Sequence, residues 1–209
     1  MARRIWDISP PLTADLAVFP GDTPLSREVL LDFARGDALR LSTLRSTVHV
    51  GAHVDAESHY AEAGLSIEAE PLERFIGRCD VLRVRAADGA HLRVSDLPRA
   101  PKHPRVLLAT GSAPDPGRFD GTFVALDPAL VDHLADQGVR LVGVDTPSVD
   151  RADAKDLPAH QRCYARDVRI LEGVVLTDVP EGEYELIALP LRLVGFDASP
   201  VRAVLRALG

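Results

Sequence analysis

Hydrophobic residues in this chain come in short runs, and Gly, Pro or Asp bounds them. The runs "RRIWDIS", "LSREVLLDF", "ALRLSTLRSTVHV", "CDVLRVR", "RVLLAT", "TFVALD", "RLVGVD", "VRILE" and "YELIALPLRL" are rich in Val, Ile and Leu. Runs of this kind between turn residues read as strands. The clearest helix spans Pro128 to Gln137. Asp127 can cap it, Pro128 sits at its first position and Gly138 can end it. With "RVLLAT…TFVALD" before it and "RLVGVD" after it, this helix predicts a small α/β core with buried strands. Shorter helices are expected near "EPLERFIG" and "PAHQRCYAR". The tail "SPVRAVLRALG" fits either state, because Val201, Val204, Leu205 and Leu208 also suit a helix. Strands outnumber helices, so the reading is a mixed α/β domain and not a regular βαβ fold. No repeat, low-complexity segment or Gly/Ser-rich linker divides the 209 residues, which suits one domain over 1–209.

Composition narrows the function classes. No run approaches the roughly 20 apolar residues of a membrane helix. The N-terminus "MARRIWDISPP" lacks the apolar stretch and cleavage site of a signal peptide. Cys79 and Cys163 make no disulfide framework, so a cytoplasmic location is expected. A net charge of −7 without a basic block makes nucleic acid and anionic membranes poor partners.

The densest chemistry lies in "HVGAHVDAESHY", residues 49–60, with three histidines and two carboxylates. Imidazoles and carboxylates are the usual ligands of zinc and neighbouring divalent ions. In a straight strand His49 and Asp55 would stand about 20 Å apart. In an ideal helix His49 and His53 share a face while Asp55 points elsewhere. One ion can use all three only if the chain bends, and Gly51 permits a bend. The expectation is a strand ending near His49, a turn at Gly51–Ala52 and ligands beyond it. A lone histidine is more often a surface or satisfied core group than a ligand. His91, His103 and His133, beside Pro, Arg and helix-surface residues, take that ordinary reading.

"HVGAHVDAESHY" resembles the H-x-G-[TA]-H-x-D-x-P-x-H signature of the cyclase-type metal-dependent hydrolases. Further segments resemble the bacterial kynurenine formamidases of that superfamily: "WDISPPL", "FPGDTP", "RVLLAT", "GVDTPSVD", "AH" at 159–160, "ILEGVVLTDVPEGEYELIALPL" and "DASPVRAVLRAL". The signature indicates the superfamily, and the C-terminal third favours the formamidase branch. The resemblance implies a single mixed α/β domain around a β-barrel-like sheet with a few short helices, in which 199–207 is a strand. It implies a homodimer with active sites near the subunit interface, and two divalent ions per chain, most simply Zn²⁺. His49, His53 and Asp55 would hold the first ion, and Asp55 would also reach the second. His160 would bind the second, Glu172 would contact both, and His59 would be the acid/base.

Spacing agrees with the implied set at one point. A continuous helix from His160 to Glu172 would separate them by about 18 Å. They can meet only if the helix stops early and the chain returns as "VRILE", which Asp167 allows. Taken alone, Glu172 reads as a strand-end surface carboxylate and His160 as a helix-surface residue. Two positions depart from the family pattern. Glu57 stands at the signature's Pro and is read as an outward surface charge, with a hydrogen-bond acceptor for a ligand histidine or a weak extra ligand as the alternatives. Phe19 replaces the formamidases' Trp, keeping an aromatic face for a substrate ring but losing the indole N–H. Cys163 reads as a buried structural thiol in preference to a ligand. The reaction implied is hydrolysis of N-formyl-L-kynurenine to L-kynurenine and formate by a metal-activated water. Opening of a cyclic amide such as isatin, or metal binding without turnover, are the competing readings.

Overall fold

The computed structural model describes residues 3–113 and 115–209. The strands in its first half are β1 (Ile5–Asp7), β2 (Ser26–Leu31), β3 (Leu41–Arg45), β4 (His53–Asp55), β5 (Ile76–Arg83), β6 (His91–Leu92) and β7 (Arg105–Ala109). Then follow β8 (Ala125–Leu126), helix α1 (Pro128–Asp136), β9 (Leu141–Val144), helix α2 (Pro158–Ala165), β10 (Arg169–Glu172), β11 (Gly182–Ile187), β12 (Ala198–Pro200) and β13 (Val204–Ala207). Nine strands form one curled, half-barrel sheet in the order β1-β13-β11-β5-β7-β9-β10-β4-β12. Its centre, β5-β7-β9-β10, is parallel, and the flanking pairs are antiparallel. The mixed α/β domain and the barrel-like sheet match the expectation from sequence.

Successive residues of the central strands go to opposite faces, as the pleat requires. Val106 and Leu108 of β7 and Val142 and Val144 of β9 pack with Leu130 and Leu134 of α1. Leu107 and Ala109 of β7, Leu141 of β9 and Leu171 of β10 join Ile8, Phe75 and Leu186 on the other face. Both faces are covered, so these strands are apolar throughout, and each fully buried Leu or Ile contributes roughly 1.5–3 kcal/mol. Helix α1 starts at Pro128 as expected and ends at Asp136, one residue short of the expected Gln137. Asp127 accepts from the Ala129 N–H at 2.9 Å, and Gly138 follows with a φ of 86°.

Several expectations are corrected. "TFVALD" supplies only the two-residue β8, which pairs with β6 outside the main sheet, so β7 and β9 are direct neighbours. "EPLERFIG" makes one 3₁₀ turn, Leu72–Arg74, before β5 begins. The tail is two strands, β12 against β4 and β13 between β1 and β11, in place of one strand over 199–207. Among the described residues β2 and β3 pair only with each other, as a separate hairpin. Among the described residues no helix is long and apolar enough to cross a membrane.

Candidate metal centre

β4 places His53 and Asp55 two residues apart, hence on one face of the sheet. His49 returns to them through a bend. Gly51 has a φ of 59°, in the left-handed region, so the turn favours glycine for its conformation. β3 ends at Arg45, earlier than the expected strand end near His49. β10 runs antiparallel to β4 with Glu172 directly opposite His53. Helix α2 supplies His160 and ends at Ala165, and Asp167, with a φ of 55°, turns the chain into β10. Leu157, just before α2, is also left-handed with a φ of 44° and offers no side-chain cap. The carboxylate of Asp150 replaces that cap, accepting from the Ala159 and His160 N–H groups at 3.0 Å each.

These elements gather His49, His53, Asp55, His160 and Glu172 into one cluster, all buried except the partly exposed His49. Asp55 Oδ1 lies 3.1 Å from His49 Nδ1 and 3.6 Å from His53 Nε2, whereas Oδ2 lies 3.4 Å from His160 Nε2. Glu172 is divided the same way, with Oε2 3.3 Å from His53 Nε2 and Oε1 3.6 Å from His160 Nε2. Each carboxylate therefore presents one oxygen to the His53 side and the other to His160.

The three imidazoles are held by their other nitrogens. His53 Nδ1 meets the Gly51 carbonyl oxygen at 2.9 Å, His160 Nδ1 meets Asp150 at 2.7 Å, and His49 Nε2 meets Asp197 at 2.9 Å. An N–H donated outward leaves a lone pair facing inward, the tautomer a metal ligand needs. Inward lone pairs and carboxylate oxygens repel unless a cation stands between them. Both Asp55 oxygens are buried without a well-formed hydrogen bond, and among the described residues no Lys or Arg pairs with Asp55, Asp150 or Glu172. This donor set fits divalent metal.

Proton affinities report the same surplus of negative charge. Burial alone would lower the imidazoles, but Asp55 and Asp197 hold His49 up at about 9, and Asp150 and Asp55 hold His160 at about 10. His53 is raised against its own burial by Glu172 and Asp55. His59 behaves oppositely. Burial lowers it and the neighbouring His49 and His160 add to that, with Asp55 opposing. A neutral His59 at pH 7 can accept a proton.

His59 lies on the 3₁₀ turn Glu57–His59, its ring 4.2 Å from that of His49 and 6.0 Å from that of His160. It lines a cavity of about 630 Å³ together with His49, His53, His160 and Glu172. Phe19 lines the same cavity and packs edge-on against Phe119 at 5.1 Å. The cavity opens at the C-terminal ends of β9 and β10, where parallel strands commonly present ligand sites. Cys163 is buried in the α2 core, and burial raises its thiol. Glu57 corrects the sequence reading. It is not an outward charge, because its carboxylate pairs with buried Arg169 at 2.9 Å and accepts from the Leu65 N–H. Sequence reasoning also missed Asp150 and Asp197. Asp150 belongs to "GVDTPSVD" and Asp197 to "DASP", but nothing local signals their contacts with His160 and His49, the latter 148 positions away.

Fold and cluster together define a mixed α/β protein carrying a histidine–carboxylate centre suited to divalent metal. The chain belongs to the cyclase family, whose model matches residues 6–151. Solved structures of similar chains share the whole architecture. A potential metal-dependent hydrolase with cyclase activity superposes with a TM-score of 0.85 at 27% identity, covering 100% of both chains. A predicted metal-dependent hydrolase from Bacillus stearothermophilus gives 0.82 at 28% identity over 99% of each. Isatin hydrolase A from Labrenzia aggregata, at 23% identity, shares the fold with a TM-score of 0.82 over 99% of this chain and 94% of its own.

Proposed function

We propose that this chain is a metal-dependent amide hydrolase that cleaves N-formyl-L-kynurenine to L-kynurenine and formate. The observation that carries the reading is the division of Asp55 and Glu172 between two sets of imidazoles, beside His59 and on a cavity that Phe19 and Phe119 also line. His49, His53 and Asp55 would hold one zinc-like ion and His160 the other, with Asp55 and Glu172 facing both. Such ions supply a Lewis acid for the carbonyl oxygen and lower the pKa of a water toward 7.

The chain's own groups do the rest. Water adds its oxygen to the formyl carbon and the C–N bond breaks. His59 takes a proton from the water and returns one to the departing aryl nitrogen, a role worth about 10²–10⁴ in rate. Phe19, which lines the cavity beside Phe119, would offer its face to the substrate's ring. Formyl is the least hindered acyl group and an arylamine leaves readily, so no covalent enzyme intermediate is required. A homodimer is part of the same proposal, and the unpartnered β2–β3 hairpin supports it. The test is metal analysis of purified protein, then assay on N-formyl-L-kynurenine and on isatin. Two ions per chain, loss of activity on chelation, recovery with zinc and selective turnover of the formamide are expected. Selective opening of isatin would replace the substrate, and at most one ion after zinc saturation would reject the binuclear site.

A further inference from the structure

Glu57 stands at the one position of the 49–60 motif where the residue type departs from the signature, and the metal cluster does not use it. Its partner, Arg169, is only 3% exposed and lines no part of the cavity. Arg169 Nη1 lies 2.9 Å from Glu57 Oε1 and 3.1 Å from Asp167 Oδ1, and its Nε donates to Glu70 Oε2. Glu70, itself buried, accepts from the Glu57 N–H through its other oxygen at 3.3 Å. The second Glu57 oxygen accepts from the Leu65 N–H at 3.2 Å, closing the loop that follows His59. Gly64 packs so tightly there that a Cβ would lie 2.4 Å from the Glu57 carbonyl carbon.

The connected segments are those that carry the site. Glu57 opens the turn bearing His59. Asp167 is the left-handed residue between α2, which bears His160, and β10, which ends in Glu172. Arg169 is the first residue of β10. One planar guanidinium thus fixes three segments in one geometry, which a flexible ammonium could not do. Stability does not explain the choice, since buried ionic triads are commonly no more stabilising than apolar side chains of similar volume.

We propose that Glu57, Arg169 and Glu70 form a positioning clamp that sets the His59 turn over the metal cluster. The clamp's catalytic consequence rests on the reading of His59 as proton carrier. None of the three touches the reacting atoms. Their effect runs through the turn, and misplacement of a proton carrier by an ångström can cost about 10²-fold in rate.

The experiment compares the full chain with the variant Glu57→Gln/Glu70→Gln/Arg169→Met, which removes all three charges together and leaves no buried carboxylate unpaired. Glu57→Gln alone serves as the second variant, because Arg169 keeps Glu70 and Asp167. Melting temperature, metal content, kcat and KM on N-formyl-L-kynurenine, and hydrogen exchange of the 56–65 segment are measured. The expected triple-variant result is a melting temperature near the parent's and unchanged metal content. Its kcat should fall about 10- to 100-fold at similar KM, with exchange of 56–65 at least about tenfold faster while β4 and β10 stay protected. Glu57→Gln should move kcat and exchange in the same direction by less. A strongly lowered melting temperature with unchanged kcat per metal-loaded chain would make the triad purely structural and overturn the proposal. Unchanged exchange of 56–65 would overturn it as well. If the parent does not hydrolyse the formamide, the substrate reading fails, and the exchange measurement still decides the clamp.

Discussion

His59 is the histidine of the cluster whose ring has no short partner on either nitrogen, its nearest acceptor being Asp197 Oδ2 at 3.5 Å from Nδ1. Geometry alone would let it coordinate, since ligand atoms of Asp55, His59 and His160 lie within 4.8 Å of one another. Two features separate it from the other three histidines, the proposed ligands. Its side chain is about one-third exposed against 3–17% for the others, and it lacks the outward acceptor that fixes their tautomers. His59→Ala should therefore retain both metal ions and the fold while kcat falls about 10²–10⁴-fold. His53→Ala should lose metal and activity together. Elemental analysis beside steady-state kinetics separates the roles, and loss of an ion from His59→Ala would make it a ligand. Asp150 acts one step further out, holding the His160 ring and both first N–H groups of α2. Asp150→Asn turns an amide N–H₂ toward some of these donors. Zinc affinity, titrated against a competing chelator, should drop about 10- to 100-fold. Unchanged affinity would show that α2 alone orients His160.

At the scale of elements, the site depends on two turns that approach each other. Gly173 follows Glu172 with a φ of 67°, and a Cβ on it would lie 2.3 Å from the Gly51 carbonyl oxygen. That carbonyl is the acceptor for His53 Nδ1. Gly173→Ala must therefore pay for a left-handed alanine, about 1–2 kcal/mol, and push away the backbone carbonyl that holds the His53 ring, about 1–3 kcal/mol more. A lower melting temperature and weaker metal binding should appear together; a stable variant with full metal content would refute the coupling. The bend at Gly51 was legible in sequence because ligand spacing demanded it, and the return through Asp167 for the same reason. Strand runs were legible from their Val, Ile and Leu content. Pairing was not, since "TFVALD" reads as well as "RVLLAT" but its neighbours in space are β6 and Val149. Glu57 was misread because a glutamate in a polar segment normally faces water, and its partner lies 112 positions on, on β10.

The whole molecule carries one feature that its own core does not explain. Among the described residues the β2–β3 hairpin pairs with no other strand, and an isolated two-stranded hairpin is at best marginally stable in water. Its arm nevertheless exposes large apolar side chains, Leu44 at 67% and Phe33 at 61%, with Leu30, Leu39 and Leu41 nearly half exposed. Burying a Leu or Phe from such exposure contributes roughly 1–2 kcal/mol, enough across several residues to hold a second chain. The arm also springs from the rim of the cavity. Asp22 precedes β2 and Ser46 and Thr47 follow β3, and all three line the cavity. A second copy gripping the hairpin would therefore stiffen the wall that leads to His49. The parent should sediment as a dimer at micromolar concentration, and Leu44→Glu, which places a charge on the apolar arm of a chain already at −7, should shift it toward monomer. The same variant should raise KM several-fold while leaving metal content intact, because the rim loosens and the cluster on β4 and β10 does not. Sedimentation and KM must move together for this reading. A parent that is monomeric at that concentration removes the dimer, and a dimer indifferent to Leu44→Glu places the interface on another surface.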